Sequence, residues 1–211
     1  MSKHNAAAIV AKLKEIYPEA TCALEYGGDP WKLLVMGRLS AQCTDARVNQ
    51  VCKTLFEAFP TAEAMANATP EEVEPYIFSC GLYKTKARDL VGASKRLVEV
   101  YDGNLPDTMD ELLTFPGVGR KIANLLLGDI YKKPAIVADT HCIRISRRMG
   151  LVPKESATPE KVERTLVQMI APEEQSDFCH RIVLFGREYC PARGNDCGLC
   201  PLSSLCDKIK L

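Results

Sequence analysis

At 211 residues with 46% apolar composition, the chain is long enough for one large domain or two small lobes, each with a proper core. No apolar run approaches the roughly 20 residues of a membrane span and no secretion signal is recognisable, so a soluble, non-secreted globular protein is expected. Lys and Arg (27) balance Asp and Glu (27), which excludes a uniformly basic nucleic-acid binder, and ten cysteines point to metal binding and free thiols rather than a disulfide frame.

The periodicity is helical almost throughout. Ile9, Leu13 and Ile16 form a stripe that Tyr17-Pro18 ends. Asp29-Pro30 supplies an N-cap and a first-turn proline for a helix over residues 31–39. Thr44 or Asp45 opens the next helix, whose Val48, Val51, Cys52, Leu55, Phe56 and Phe59 share an apolar face before Pro60. Thr69-Pro70-Glu71-Glu72 combines a capping box with a proline start, and Pro75 shortens or distorts the helix that follows. Residues 85–101 read as a longer helix with Leu90, Ala93, Leu97 and Tyr101 on one side, stopped by Asp102-Gly103-Asn104. Thr108 and Glu111 form a second capping box. Residues 134–139 are expected to be extended, with 135–138 a weak strand candidate. Helices follow at 140–149, from Thr158-Pro159-Glu160 to about Ile170, and at 177–189. The expected fold is all-α, with no internal repeat or flexible linker.

The stretch Leu112-Leu113-Thr114-Phe115-Pro116-Gly117-Val118-Gly119-Arg120-Lys121-Ile122-Ala123-Asn124 organises the rest. A short helix ends near Thr114, the chain turns through Pro-Gly-x-Gly, and a second helix runs from Arg120 to about Tyr131. The paired glycines allow positive φ and leave backbone N–H groups uncovered. Together with the positive end of the following helix they make an anion site. Arg120 and Lys121 beside the turn point to a nucleic-acid phosphate, although an ordinary tight αα-turn has the same outline. Residues 112–150 carry seven Lys or Arg against Asp129 and Asp139, while residues 57–76 carry Glu57, Glu63, Glu71, Glu72 and Glu74 and no basic residue. One positive face at zero net charge still binds phosphates.

The C-terminal region reads Cys190-(x6)-Cys197-(x2)-Cys200-(x5)-Cys206. Four thiolates so close together form a metal knot. Tetrathiolate zinc sites usually show two C-x2-C knuckles, and this segment has one, so spacing alone leaves zinc and a 4Fe-4S cluster level. The other cysteines (Cys22, Cys43, Cys52, Cys80, Cys142, Cys179) are expected to be buried small apolar residues.

The hairpin resembles the helix-hairpin-helix motif of DNA-repair proteins, and the chain as a whole resembles the endonuclease III-type DNA glycosylases. The carrying residues are Leu39-Ser40-Ala41-Gln42-x-Thr44-Asp45, Gly81-Leu82-Tyr83-x-x-Lys86-Ala87, Leu113-x-x-Pro116-Gly117-Val118-Gly119-Arg120-Lys121, Val137-x-Asp139-Thr140-His141 and the four-cysteine segment. The resemblance implies a two-lobed, all-α fold. A six-helix barrel lobe would cover residues 22–131, a cluster lobe residues 1–21 and 132–211, and damaged double-stranded DNA would lie across the cleft. It further implies a bifunctional glycosylase/AP lyase of base excision repair that removes oxidised pyrimidines. Such a protein would be a monomer in the prokaryotic cytoplasm, at the nucleoid, with no membrane partner.

Residue by residue, Lys121 would be the nucleophile and Asp139 its partner carboxylate, Asp139 doubling as an N-cap. At the first turn of a helix, the positive dipole end disfavours an ammonium and helps free the attacking lone pair. Gln42 and Leu82 would fill the hole left by a flipped nucleotide. Gly117, Val118, Gly119, Arg120 and His141 would lie against DNA. Cys190, Cys197, Cys200 and Cys206 would hold a 4Fe-4S cluster, with Arg144, Arg147 and Arg148 serving the surface and packing of that lobe.

The sequence departs from the family pattern in three places. Met36-Gly37-Arg38 brings a glycine and a charge into an otherwise apolar helix, Cys43 replaces an alanine, and the loop 191–196 is weakly basic. Two rivals stay open: a mismatch or otherwise specific glycosylase of the same family, and a non-catalytic iron–sulfur DNA-binding protein. Lys121 speaks against the adenine-specific mismatch branch, which lacks a lysine there.

Overall fold

The protein is described from a computed structural model covering residues 3–156, 158–194 and 196–210. Every regular element among these residues is helical: α1 Lys3–Ile16, α2 Pro30–Leu39, α3 Asp45–Ala58, α4 Ala62–Ala66, α5 Pro70–Ile77, a 3-10 turn Phe78–Cys80, α6 Tyr83–Tyr101, α7 Met109–Leu112, α8 Arg120–Asp129, α9 Thr140–Met149, α10 Pro159–Met169, a 3-10 turn Pro172–Glu174 and α11 Gln175–Glu188. The chain divides into two compact units, residues 23–131 and residues 1–22 with 132–211.

The caps explain where the helices begin. Asp29, Thr44, Thr61, Thr108, Asp139 and Thr158 each accept a first-turn backbone N–H of the following helix. Thr69 and Glu72 close a reciprocal capping box at α5, which carries Pro75 and gives way to the 3-10 turn.

In the 23–131 unit, α2 is buried almost all round through Trp31, Leu33, Leu34, Val35, Met36, Gly37 and Leu39, so it is the central helix. It packs against α3, α6 and α8. Gly37 lies where α8 crosses: a Cβ there would stand 3.3 Å from Ile122 Cγ2 and 3.6 Å from Leu125 Cδ2. The glycine that breaks the apolar pattern of α2 is therefore a close-approach residue. Trp31 donates its indole N–H to buried Ser94 Oγ at 3.0 Å, tying α2 to α6.

In the other unit, α1, α9, α10 and α11 enclose a core that includes Ile9, Leu13, Ile145, Leu166, Phe178 and Phe185. Buried Gln175 donates Nε2–H to Val167 O and Ile170 O, closing the end of α10. Arg181, with its side chain 3% exposed, pairs with Glu174 at 2.7 Å and Asp177 at 2.8 Å. Residues 134–139 are extended, but no strand forms: Ala135, Ile136 and Ala138 are buried, and Val137 N–H donates to Cys179 Sγ at 3.1 Å instead of to a neighbouring strand. A single extended segment has no ladder partner here.

Cys52, Cys80, Cys142 and Cys179 are buried as expected, whereas Cys22 and Cys43 are half-buried. Each of the latter two lies in a connection rather than on the apolar face of a helix.

Candidate active site and thiolate cavity

Within the 23–131 unit the α7–α8 connection is a tight reversal. Phe115 N–H donates to Leu112 O at 3.2 Å and Val118 N–H to Phe115 O at 3.1 Å, with Gly117 at φ +73°. Gly119 is the extended N-cap of α8 and offers no side chain to its first turn. Among the described residues nothing takes up the N–H groups of Gly117 and Gly119, and both residues are exposed. These are the donors an anion meets at the positive end of α8. Val118 differs from its neighbours: its side chain is buried and its N–H is committed to the turn, so it serves the hairpin from inside.

One face of α6 carries this reversal. Phe115 stacks on Tyr101 with ring centroids 5.3 Å apart, and the Arg96 guanidinium lies over both rings. Arg96 Nε–H also donates to Thr114 Oγ1 at 2.8 Å. Pro116 rests on Gly92, where a Cβ would stand 3.2 Å from Pro116 Cγ. Asp89, on the same face, binds Arg38 of α2 through Nε and Nη2, both 2.7 Å from Oδ2. This ion pair lies directly behind Gly117: a Cβ there would meet Arg38 Nε at 2.5 Å and Asp89 Oδ2 at 2.7 Å. Gly117 is thus required twice, by its positive φ and by the ion pair behind it. Asp89, Gly92 and Arg96 stand at i, i+3 and i+7, a spacing that could have flagged this face from sequence.

Lys121 is the second residue of α8, exposed, in a first turn that contains no acidic residue. Its Nζ has no hydrogen bond or ion pair among the described residues. Arg120 precedes it, also exposed.

Two further reversals in this unit have left-handed, non-glycine residues at their tips. Gln42 has φ 55° and is exposed; Leu82 has φ 49° and is 60% exposed. Each conformation costs about 1–2 kcal/mol for an L-residue. Between them lies Lys86, wholly buried, whose ammonium donates to Leu39 O at 2.8 Å, Ala41 O at 2.7 Å and Cys80 O at 2.7 Å. Its three donors meet three carbonyls: the last of α2, one in the turn after it and the last of the 3-10 turn. Burying an ammonium costs several kcal/mol, and charge-assisted bonds return about 1.5–3 kcal/mol each, so three of them hold the charge in place. Burial still lowers the Lys86 pKa from its ordinary value. In the sequence Lys86 is a motif residue with no visible role: its partners lie up to 47 positions away, so no local signal carries it.

In the other unit, Asp139 caps α9, with Oδ1 accepting Cys142 N–H at 2.7 Å, and is half-buried. His141, half-buried, approaches α11 so closely that a Cβ on Gly186 would lie 2.5 Å from its Nδ1. Arg144 Nη2 lies 3.3 Å from the same nitrogen and donates to Cys190 O at 2.9 Å.

Cys190, Cys197, Cys200 and Cys206 line one cavity of about 490 Å³, together with Arg148, Phe185, Tyr189 and Leu202. Arg148 Nη1–H donates to Cys190 Sγ at 3.3 Å and to Pro191 O at 2.7 Å, and Lys208 N–H donates to Cys206 Sγ at 3.3 Å. Burial, and the proximity of the other thiols, push Cys200 and Cys206 above the usual thiol range. The donor set suits a soft, polynuclear cationic group: four sulfurs to bind it, N–H groups aimed at the sulfurs, and an arginine to balance thiolate charge. Among the described residues no three Cys, His or acidic side chains close on a single-ion point. Arg148 and Arg144 hold the cysteine segment, while Arg147 donates to Lys154 O at 2.8 Å on the same lobe.

Comparison with known proteins gives the family. The family model described as HhH-GPD superfamily base excision DNA repair protein matches residues 35–172. The chain is 42% identical to endonuclease III of Synechocystis sp. over 205 residues, covering 97% of this chain and 92% of that protein. A solved non-covalent endonuclease III–DNA complex superposes with a TM-score of 0.92 at 39% identity, covering 99% of this chain and 96% of that one. A trapped endonuclease III–DNA covalent intermediate, an estranged-adenine complex, matches with the same TM-score and identity, covering 99% of this chain and 97% of that one.

Proposed function

Because the chain belongs to the HhH-GPD superfamily of base excision DNA repair proteins, and is a bifunctional DNA glycosylase/AP lyase of the endonuclease III type, we propose that its substrates are oxidised pyrimidines in duplex DNA and that Lys121 is its nucleophile. The observation that carries the reading is the exposed amine of Lys121, one residue past Arg120 and two past a hairpin glycine with an open N–H. In the proposed reaction the uncharged Lys121 amine forms a bond to the sugar C1′ as the glycosidic bond breaks and the base departs with a proton. The sugar ring opens to a protonated imine as O4′ takes up a proton from water. Loss of a C2′ proton then expels the 3′ phosphate, and hydrolysis of the imine frees the lysine.

Asp139 is assigned to the base-release step, where positive charge develops on the sugar. Gln42 and Leu82 are assigned to the space vacated by the extruded nucleotide, and Gly117, Gly119, Arg120 and His141 to the phosphates. The protein is proposed to act as a monomer at the nucleoid.

Incubation with duplexes carrying a panel of lesions, with borohydride added, tests this reading. Covalent adducts are expected with oxidised pyrimidines and with abasic sites. No adduct with any lesion would remove the lyase reading, and adducts with other lesions but none with oxidised pyrimidines would remove the substrate class.

Cys190, Cys197, Cys200 and Cys206 are proposed to hold a 4Fe-4S cluster, whose contribution when bound is to fix the C-terminal segment. The residues around it serve structure: Arg148 ties Pro191 and Ala192 by their carbonyls, and Leu202 closes the core beneath the cavity. Anaerobically prepared protein is expected to contain iron and acid-labile sulfide in equal amounts, about four of each per chain. Zinc without iron would overturn this assignment.

A further inference from the structure

We propose that Lys86 is a positioning residue that sets two exposed left-handed turns of the 23–131 unit, at Gln42 and Leu82, as one rigid pair. The proposal rests on the reading above, in which these two side chains enter duplex DNA.

Three observations carry it. First, the ammonium joins chain segments far apart in sequence. Leu39 O and Ala41 O flank the turn that leads into Gln42, and Cys80 O ends the 3-10 turn that leads into Leu82. Lys86 has three N–H donors and all three are used, so it has none left for a phosphate or a sugar, and it is wholly buried. Its effect on DNA must pass through the backbone it holds.

Second, both turns are strained. Glycine or asparagine would occupy these positions more cheaply, yet one holds glutamine and the other leucine. Left-handed, bulky residues persist where the surroundings over-determine them, and such outliers cluster at functional sites. Gly81, at φ 65°, adds a second positive φ directly before Leu82, and the tip's local tie is its carbonyl, which accepts Lys86 N–H at 3.0 Å at the start of α6.

Third, the leucine at the tip of its turn stays largely in solvent. It is 60% exposed, and Phe78, four positions before it, is 65% exposed, its ring 4.8 Å from that of Tyr83. An apolar tip kept in solvent on a strained turn is open to an apolar partner outside the chain. A base stack that has lost a nucleotide offers such an apolar environment, and filling it demands a fixed angle of entry.

The experiment compares two reactions under single-turnover conditions in the full-length protein: base release from a paired lesion, and nicking of a preformed abasic site. Only the first must extrude a base. Lys86→Met keeps most of the side-chain volume and removes the ammonium. It is expected to slow base release about 10–100-fold, the scale of misplacing a group by about an ångström. Abasic nicking is expected to change less than about threefold, because Lys121 and the hairpin are untouched. Leu82→Ala on its own is expected to slow base release, and adding it to Lys86→Met is expected to cost little more, since both remove one interaction.

Equal losses in both reactions would show a merely structural lysine and overturn the proposal, as would fully multiplicative losses in the double variant. If Leu82→Ala and Gln42→Ala both leave base release unchanged, the insertion reading beneath the proposal falls with it, while trapping by Lys121 is unaffected. Should Lys86→Met not fold, Lys86→Arg keeps a cation but replaces three converging donors with a planar fork. The same selective loss of base release is then expected, and an unchanged ratio of the two rates overturns the proposal.

Discussion

Lys121→Gln is expected to abolish borohydride trapping and strand nicking while leaving duplex binding within about threefold, because a single exposed charge near phosphates contributes modestly. The amide that replaces the amine has no basic lone pair, so no imine forms. The loss should be on the order of 10⁴–10⁶-fold, the scale of deleting a nucleophile from an assembled site. The substitution is clean for structural reasons. Lys121 is exposed, has no partner among the described residues, and follows a helix start that is set by Gly119 and the Val118–Phe115 turn rather than by its own side chain. Thermal stability should therefore be unchanged within about 0.5 kcal/mol. Covalent trapping of the variant on abasic DNA would place the nucleophile elsewhere. A fall in duplex affinity matching the fall in nicking would make Lys121 a phosphate contact.

Asp139→Asn is expected to slow base release by about 10²–10⁴-fold and to slow nicking of a preformed abasic site much less. Its Oδ1 is committed to Cys142 N–H at 2.7 Å, and asparagine offers the same acceptor, so the start of α9 survives the change. What is lost is negative charge at the moment the sugar turns positive, a benefit realised mainly in the transition state. When the base is already absent, that moment does not occur. Equal losses in the two reactions would return Asp139 to a capping role alone, and a fall in melting temperature would show that asparagine does not replace it as a cap.

What could be read from the sequence was local. Asp29-Pro30, Thr69 with Glu72, Thr108 with Glu111 and Thr158-Pro159 each announce a helix start within four residues, and the structure begins helices there. Helix α4 leaves little trace in the sequence, because five residues hold too little periodicity and Thr61 is its one signal. Residues 135–138 looked like a strand because they are apolar and extended, and only the absent neighbour decides the matter.

The candidate site divides along the same line. The hairpin glycines, Lys121 and the four cysteines are contiguous motifs. The supports are not: Arg38 reaches Asp89 across 51 positions, Arg96 reaches Thr114 across 18, and Lys86 gathers carbonyls from two turns. Arg38 stood out in sequence as a charge in an apolar helix, and its meaning came only with its partner.

The unit made of residues 1–22 and 132–211 is interrupted by all of residues 23–131, which bears on how the chain is made. Helix α1 leaves the ribosome before residues 23–131, yet its Ala6, Ile9 and Leu13 belong to a core completed by Phe178, Ile182 and Phe185 of α11. At ordinary elongation rates of about 5–20 residues per second, α1 waits roughly 10–35 s for that partner. Meanwhile residues 23–131 can emerge whole and complete their own core. The nascent chain therefore carries an unburied amphipathic helix ahead of a finished unit for much of its synthesis. A chaperone that holds short apolar segments would find its target at α1.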